Sequence, residues 1–186
     1  MLNKGYLIVF EGIDGTGKST QCRLLSKYLS ERNIPNIVLV EPTMGTWGMK
    51  IRRLLSEGRE GISPQEELSW FVNDRKEDIS KNIMPALLDN NVVIMDRYYF
   101  STAAYQGALG LNPEDIRTEN ENFAPIPDRV LIFLTSPDVC LERIESSRDQ
   151  KSAFEKIEYL QNVETIFKSF VGPNISFINS IGSVSE

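Results

Sequence analysis

Short apolar runs alternate along the chain with longer segments in which apolar residues recur at helical spacing. The apolar runs are rich in β-branched residues at consecutive positions, as expected for strands that helices cover on both faces. Five of them predict strands: Leu7–Glu11, Ile37–Glu41, Val92–Asp96, Val130–Leu134 and Ile175–Ile178. Strands that alternate with helices in this way indicate an α/β fold with a five-stranded parallel sheet.

The segments between the strands carry signals for helix starts. Ser63, Asn112 and Ser136 each precede a proline, which combines a capping side chain with a residue suited to the first helical position. Within the helical segment 64–90, Pro85 lacks the amide hydrogen that an interior helical residue donates. We therefore expect Pro85 to kink or divide this segment.

The composition narrows the possible functions. The 186 residues include 20 basic and 26 acidic side chains, and the net charge of −6 argues against a nucleic-acid-binding protein but allows a small anionic ligand. No histidine is present, which excludes His-dependent metal sites and His acid–base chemistry. No apolar run approaches the roughly 20 residues of a membrane-spanning helix, and no signal-peptide pattern opens the sequence. We expect residues 1–186 to form one cytoplasmic domain without nucleic-acid or membrane partners.

The strongest motif is the segment 12–19, which reads G-I-D-G-T-G-K-S and matches the phosphate-binding loop G-x-x-x-x-G-K-[ST]. It follows the first predicted strand and opens a helical pattern, as the motif requires. Its glycines allow backbone N–H groups to surround a phosphate at the positive end of the helix. Lys18 is placed to neutralise the β- and γ-phosphates, and Ser19 to bind Mg²⁺. The motif predicts a nucleoside-triphosphate site.

Several classes of protein share such a loop. Switch GTPases, motor ATPases and small-molecule kinases all use it. The base-reading N-K-x-D sequence of GTPases does not occur here, and large remodelling ATPases are usually longer. The sequence therefore favours a small phosphotransferase.

Candidate acceptor-binding residues occur after the third strand and in the helical segment before it. Asp96 ends that strand and Arg97 follows it, and open α/β sheets bind ligands at the carboxyl ends of their strands. Asp96 can support Mg²⁺ and Arg97 can bind a phosphate with two hydrogen bonds, with a surface ion pair as the alternative. Phe71 and Arg75 share one face of a helix and could hold a planar base. Taken alone, these two residues favour Phe71 in the core and Arg75 in solvent.

Four motifs occur together in the order and spacing found in thymidylate kinases. They are E-G-I-D-G-T-G-K-S-T at 11–20, E-P at 41–42, F-x-x-x-R at 71–75, and D-R-Y followed by S-T-A-A-Y-Q within 96–106. The chain resembles this family of P-loop nucleoside monophosphate kinases over essentially its whole length. The resemblance implies a three-layer P-loop kinase fold and transfer of the γ-phosphoryl group of ATP to dTMP, giving dTDP in dTTP biosynthesis. It also implies Mg²⁺ as a cofactor and a homodimeric assembly.

The resemblance assigns roles to individual side chains. Phe71 would stack on thymine, and Arg75 would donate a hydrogen bond to its O4 atom. Arg97 would hold the acceptor phosphate and Asp14 would orient the acceptor near its 3′-hydroxyl, so that both act with Lys18 in catalysis. The base and sugar pocket would be completed by Thr102, Tyr105 and Gln106. The ATP site would comprise Gly12, Ile13, Asp14, Gly15, Thr16, Gly17, Lys18, Ser19, Thr20 and Arg143, and Mg²⁺ would be bound by Ser19 and Asp96.

A lid at about residues 144–154 would supply a further catalytic cation. Some members of the family carry an arginine inside the phosphate loop, where this chain has Gly15, and the others supply it from the lid. We expect Arg148 to have this role, with Lys151 as the second candidate. The segment 40–44, V-E-P-T-M, stands where bacterial members often have R-E-P-G-G, so the family pattern leaves the shape of this part of the acceptor pocket open.

Two other functions remain open at this point. A deoxynucleoside kinase would attack with a neutral 5′-hydroxyl and would need a base, for which Glu41 is the candidate. Arg97 and the residues after it suit a phosphorylated acceptor better. A nucleotide-sensing regulatory module would bind ATP without transferring a phosphoryl group. Turnover that depends on a nucleoside monophosphate separates these possibilities.

Overall fold

A five-stranded sheet forms the centre of the molecule. The computed structural model describes residues 4–144 and 150–181, and side chains for residues 4–140 and 157–181. The strands are β1 (Tyr6–Glu11), β2 (Asn36–Val40), β3 (Val92–Asp96), β4 (Arg129–Leu134) and β5 (Ile175–Asn179). They pair in parallel in the order β2-β3-β1-β4-β5. The predicted sheet is confirmed. The second strand ends one residue earlier than predicted, at Val40, because Pro42 cannot extend the hydrogen-bond ladder.

Eight α-helices are present in the described part of the chain. They are α1 (Lys18–Ser30), α2 (Thr46–Glu57), α3 (Pro64–Asp78), α4 (Met84–Leu88), α5 (Tyr99–Gly107), α6 (Pro113–Glu121), α7 (Pro137–Ile144) and α8 (Gln150–Ser169). Ser63 caps α3 by accepting from the Glu66 N–H at 3.2 Å, and the Asn112 side chain accepts from the Glu114 N–H at 3.0 Å at the start of α6. The capping signals in the sequence therefore mark true helix starts.

The predicted division of the segment 64–90 lies just before Pro85. A π-helical turn, Ile79–Ile83, separates α3 from α4, and Pro85 is the second residue of α4. Because proline cannot donate the backbone hydrogen bond of an interior helical residue, the wider turn is the local adjustment that lets the chain continue.

Apolar side chains cover both faces of the sheet. Val9 and Met95 point into the larger core, with Phe167 of α8. The alternate residues Phe10 and Ile94 point to the opposite face, into a second apolar cluster that includes Cys22 of α1. This alternation gives the three-layer arrangement of helices, sheet and helices, as predicted. Among the residues that the structure describes, no helix has the length and apolar character needed to cross a membrane.

Candidate active site

Glycines of the loop between β1 and α1 adopt backbone conformations that other residues rarely tolerate. Gly12 and Gly15 have φ values of 130° and 86°. A Cβ atom on Gly15 would lie 2.6 Å from the Cys140 carbonyl oxygen, and one on Gly12 would overlap the Phe133 carbonyl oxygen. The loop is therefore packed against the end of β4 and the start of α7, and its shape is fixed by those neighbours.

Lys18, the first residue of α1, is held inside this loop. Its Nζ atom donates to the Ile13 carbonyl at 2.9 Å, and the Thr16 hydroxyl donates to the same carbonyl at 2.9 Å. Only 5% of Lys18 is exposed. Burial, together with the nearby Arg97 guanidinium, lowers its pKa to about 8. A phosphate oxygen would offer this ammonium group a stronger acceptor than the carbonyl.

Ser19 joins the loop to the end of β3. Its hydroxyl donates to the Asp96 carboxylate. Asp96 is only 5% exposed, so the alternative of a surface Asp–Arg pair is wrong. A hydroxyl and a carboxylate oxygen, which are hard ligands, thus lie together at the helix N-terminus, an arrangement that suits Mg²⁺.

Arg97 follows Asp96 and has a left-handed backbone with φ 74°, which is uncommon for a residue other than glycine. Its N–H donates to the Phe10 carbonyl at 3.0 Å. The guanidinium donates to Asp14 Oδ1 at 2.6 Å and to Ser101 Oγ at 2.8 Å. Backbone strain of this kind concentrates at functional sites, where the surrounding contacts stabilise it.

Glu11 is a site residue that the sequence analysis did not single out. Its carboxylate accepts from the Tyr98 N–H at 2.9 Å and from the Ser101 hydroxyl, which in turn accepts from Arg97. Glu11 is fully buried, and burial raises its pKa to about 7. The signal that could have found it is an acidic residue at the end of an apolar strand, where helices leave it no access to water.

Two adjoining cavities meet at the loop. The larger, of about 480 Å³, brings together nine of the predicted site residues: Asp14, Lys18, Ser19, Phe71, Arg75, Asp96, Arg97, Thr102 and Tyr105. The smaller, of about 260 Å³, is lined by Asp14, Gly15, Gly17, Lys18, Ser19 and Thr20. Three residues, Asp14, Lys18 and Ser19, line both cavities. The arrangement can hold two ligands whose phosphate groups meet beside Lys18.

Arg75 lies in the wall of the larger cavity and is only 1% exposed, so the interpretation that places it in solvent is wrong. The guanidinium donates to Asn120 Oδ1 at 2.7 Å, to Thr102 Oγ1 at 3.0 Å and to the Glu41 carboxylate. One helical turn away on α3, Phe71 is partly buried against an apolar cluster and lines the same cavity. The helix thus places an aromatic ring and a hydrogen-bonded guanidinium in the wall of one cavity.

Glu41 lines the cavity as the ionic partner of Arg75. It is 4% exposed, and burial raises the pKa of its carboxyl group while Arg75 opposes that rise. Its Oε1 atom has no hydrogen-bond partner among the described residues. The peptide bond between Glu41 and Pro42 is cis. The structure therefore places this carboxyl group beside the Arg75 guanidinium in the wall of the larger cavity.

The unusual segment after β2 has a well-defined connection to α3. Thr43 donates to the Asp74 carboxylate through its N–H at 2.8 Å and through its hydroxyl at 2.6 Å. Arg52 of α2 donates to the carbonyl groups of Pro42 and Thr43, the latter at 3.2 Å, and it also lines the larger cavity. No local pattern distinguishes Arg52 from its neighbour Arg53, so these contacts of Arg52 could not be predicted from the sequence.

Some predicted residues lie apart from the cavity wall or cannot be placed. Gln106 was predicted to line the base and sugar pocket, but it is fully buried and does not line the larger cavity. Neither atom of its side-chain amide has a hydrogen-bond partner among the described residues. Gln106 lies one turn beyond Thr102 on α5, on the face that approaches Arg75. Arg148 lies outside the described residues, as do the side chains of Arg143 and Lys151.

Comparisons with known proteins agree with this geometry. The family model described as thymidylate kinase matches residues 10–186. A thymidylate kinase from Desulfotalea psychrophila is 45% identical over 185 residues, which cover 99% of this chain and 91% of that protein. One from Akkermansia muciniphila is 46% identical over 170 residues, covering 91% and 81% respectively. The crystal structure of the Ehrlichia chaffeensis thymidylate kinase superposes with a TM-score of 0.75 at 28% identity, covering 97% of this chain and 89% of that one. The resemblance is thereby confirmed, and the chain belongs to the thymidylate kinase family.

Proposed function

We propose that this chain transfers the γ-phosphoryl group of ATP to dTMP, giving dTDP and ADP. The observation that carries the proposal is the meeting of two cavities at Lys18 and Ser19, with the buried Arg75 and the Phe71 side chain also in the wall of the larger one. A triphosphate held by the loop and a monophosphate held in the larger cavity would meet at that point. The family to which the chain belongs supports the same reaction.

The ATP site would be formed by residues 12–20, with Arg143 on the adenine side. Backbone N–H groups of the loop and the N-terminus of α1 would surround the phosphates. Lys18 would exchange its bond to the Ile13 carbonyl for one to a phosphate oxygen. The exchange would favour the protonated amine, because an anion replaces a neutral partner.

The acceptor would lie in the larger cavity. Phe71 would stack on the thymine ring, and Arg75 would donate to its O4 atom. Thr102 and Tyr105 would line the base and sugar pocket. Because cytosine carries an amino group where thymine has O4, a fixed guanidinium at this point would select dTMP over dCMP. The thymine methyl is worth only about 1–3 kcal/mol in an apolar pocket, so dUMP should retain partial activity.

Arg97 would hold the acceptor phosphate in line with the transferred group, with Asp14 orienting both the guanidinium and the acceptor sugar. A phosphate monoester has a second pKa near 6, so its oxygen is already largely anionic at neutral pH and needs no general base. Positioning and charge stabilisation then account for the chemistry. A cation from the lid, which we assign to Arg148 with Lys151 as the second candidate, would neutralise charge on the transferred group.

Mg²⁺ would be bound by Ser19 and, through water, by Asp96. The Ser19 hydroxyl and the Asp96 carboxylate already lie in hydrogen-bond contact. The described residues contain no group of three or more His, Cys, Asp or Glu side chains that could hold a metal by themselves. Nucleotide phosphates and water would complete its coordination, as is usual for Mg²⁺ in kinase sites. When bound, the ion would neutralise phosphate charge.

We also propose a homodimeric, cytoplasmic enzyme in which residues 1–186 form one domain with a lid at about 144–154. The alternative of a deoxynucleoside kinase would need a base at the attacking 5′-hydroxyl. Glu41, the candidate base, is paired with the arginine that we assign to the base end of the acceptor. This pairing favours the monophosphate kinase.

The test is ADP release from ATP and Mg²⁺ with dTMP, dUMP, dCMP, dAMP, dGMP or thymidine as acceptor. We expect strong release with dTMP, partial release with dUMP and little with the others. Release with thymidine but not dTMP would replace the proposal by a deoxynucleoside kinase. ATP binding without release for any acceptor would favour a nucleotide-sensing regulatory module.

A further inference from the structure

Arg75 is held by side chains from three other parts of the fold. Glu41 comes from the end of β2, Thr102 from α5 and Asn120 from α6. The Tyr98 ring lies beneath, with its centroid 5.2 Å from the guanidinium carbon. A guanidinium bonded on several sides and packed on a ring cannot rotate freely, so the direction of its remaining N–H groups is set before a ligand arrives.

Asn120 differs from the other two partners because it lies outside the cavity. Glu41 and Thr102 both line the cavity wall, whereas none of the described residues on that wall belongs to α6. Asn120 is fully buried and 45 positions from Arg75 in the sequence. A ligand in the cavity can therefore touch Arg75, Glu41 or Thr102, but it meets Asn120 only through Arg75.

The orientation of the Asn120 amide is determined by a second hydrogen bond. Nδ2 donates to the Ile116 carbonyl at 2.8 Å, one turn earlier on α6, so Oδ1 faces the Arg75 guanidinium at 2.7 Å. A flipped amide would place an NH₂ group against the cation and an oxygen against a carbonyl. Both contacts would be repulsive, so only the observed orientation satisfies both neighbours.

We propose that Asn120 is a positioning residue for base selection, acting through Arg75. This inference rests on the proposed function, in which Arg75 donates to thymine O4. The carboxylate of Glu41 attracts the guanidinium from one side, and the Asn120 oxygen holds it from another. Without Asn120, Arg75 would keep the bonds of its Nη2 group to Glu41 and Thr102 but lose the bond that holds Nη1. Selection between thymine and cytosine would then fall.

Two substitutions separate this role from a purely structural one. Asn120→Ala removes both hydrogen bonds, whereas Asn120→Asp keeps an acceptor for Arg75 and loses the donor to Ile116. Both variants should unfold at lower temperature than the wild type. Only Asn120→Ala should lose base selection, with kcat/KM for dTMP falling about tenfold and the KM for ATP within twofold of wild type. Asn122→Ala, at an exposed position two residues further on, is the matched control.

A double-mutant cycle tests the route through Arg75. Asn120→Ala should cost little further dTMP activity when added to Arg75→Ala, because the group that it positions is already absent. If Asn120→Ala does not fold, Asn120→Ser leaves a smaller cavity and is measured in its place.

The inference is overturned if Asn120→Ala leaves the preference for dTMP over dCMP within twofold of wild type. It is also overturned if Asn120→Asp loses that preference as fully as Asn120→Ala does, because the bond to Ile116 would then carry the effect. A wild-type chain without dTMP-dependent ADP release would instead contradict the proposed function. Wild-type activity that the Asn120 variants do not alter would contradict this inference alone.

Discussion

Arg97 Nη2 lies 2.6 Å from Asp14 Oδ1, so the arginine at the end of β3 is bound directly to the phosphate loop. The two residues are 83 positions apart in the sequence. Asp14 is 69% exposed at its side chain and Arg97 only 16%, which leaves the carboxylate open to a ligand while the guanidinium is held in place. The contact places the cation that we assign to acceptor binding directly beside the phosphate loop.

Replacing Arg97 by lysine should impair acceptor binding much more than ATP binding. Lysine keeps the positive charge but cannot make the two directed bonds to Asp14 and Ser101 or bind a phosphate with a planar pair of donors. We expect kcat/KM for dTMP to fall about 10- to 100-fold, with little change in the KM for ATP. Steady-state kinetics with each substrate varied in turn measure this, and Arg53→Lys, at an exposed position on α2, is the control. A matching loss in both KM values would contradict the assignment.

Lys18→Met should reduce turnover while leaving the protein folded. Methionine fills the space of the buried stem without a charge, so stability should change little. Loss of a donor to developing phosphate charge should lower kcat about 10²- to 10³-fold. Single-turnover assays with saturating ATP measure the rate of phosphoryl transfer. Lys27→Met, on the exposed face of the same helix, is the control and should behave as wild type. Turnover within threefold of wild type in Lys18→Met would exclude the proposed role.

Glu11 should make the free energy of unfolding depend on pH. Its pKa is about 7 in the folded protein and about 4.5 without burial, so between these values the folded state binds more protons than the unfolded state. The contribution of Glu11 to the free energy of unfolding is therefore largest at low pH and is lost as the pH rises through 7. Relative to Glu11→Gln, the wild type should lose roughly 2–3 kcal/mol between pH 5 and pH 8.

Urea denaturation of both proteins across that range measures the effect of Glu11. Glu119→Gln, at an exposed position on α6, serves as the control, because it should leave the pH dependence of wild type unchanged. If the free energy of unfolding changes with pH equally in the wild type and in Glu11→Gln, the Glu11 carboxyl group titrates as it does in water.

Gly48→Ala should have two opposing effects on stability, one from helix propensity and one from packing. Alanine is favoured over glycine inside a helix by about 1 kcal/mol. At this position, however, the added Cβ would overlap the backbone of Thr43, and crowding of this kind costs about 1–3 kcal/mol. We expect net destabilisation and a higher KM for dTMP, because Thr43 holds the segment that Arg52 contacts.

The measurement for Gly48→Ala combines urea denaturation with acceptor kinetics. Gly110→Ala is a useful comparison, since a Cβ there meets open space but the backbone has φ 98°. It should be destabilised by backbone strain alone, with an unchanged KM for dTMP. If Gly48→Ala is more stable than wild type, the backbone at Thr43 moves away from the added Cβ atom at little cost.

The sheet was predictable from the sequence because each strand is a local apolar run whose pattern depends on its own residues. The phosphate loop was predictable for the same reason, since all of its determinants lie within 12–19. The burial of Arg75 was not predictable in this way. Its environment depends on Glu41, Thr102 and Asn120, which lie 34, 27 and 45 positions away.

The resemblance to thymidylate kinases implies a role for Arg75 but does not indicate which residues surround it. A helical face that carries Phe71 and Arg75 is compatible with a solvated arginine until the elements that cover it are known. Glu11 shows the same limit, because nothing in its local sequence indicates that Ser101 and the Tyr98 N–H complete its hydrogen bonds.

The position of Glu11 also has a mechanical consequence. Helix α5 has no capping side chain of its own, and the Tyr98 N–H at its start donates instead to Glu11, at the end of β1. The strand that leads into the phosphate loop and the helix that carries Thr102 and Tyr105 are thus joined by one carboxylate. This link opposes separation of the phosphate loop from α5, so the spacing between the two sides of the larger cavity is set by contacts inside the fold.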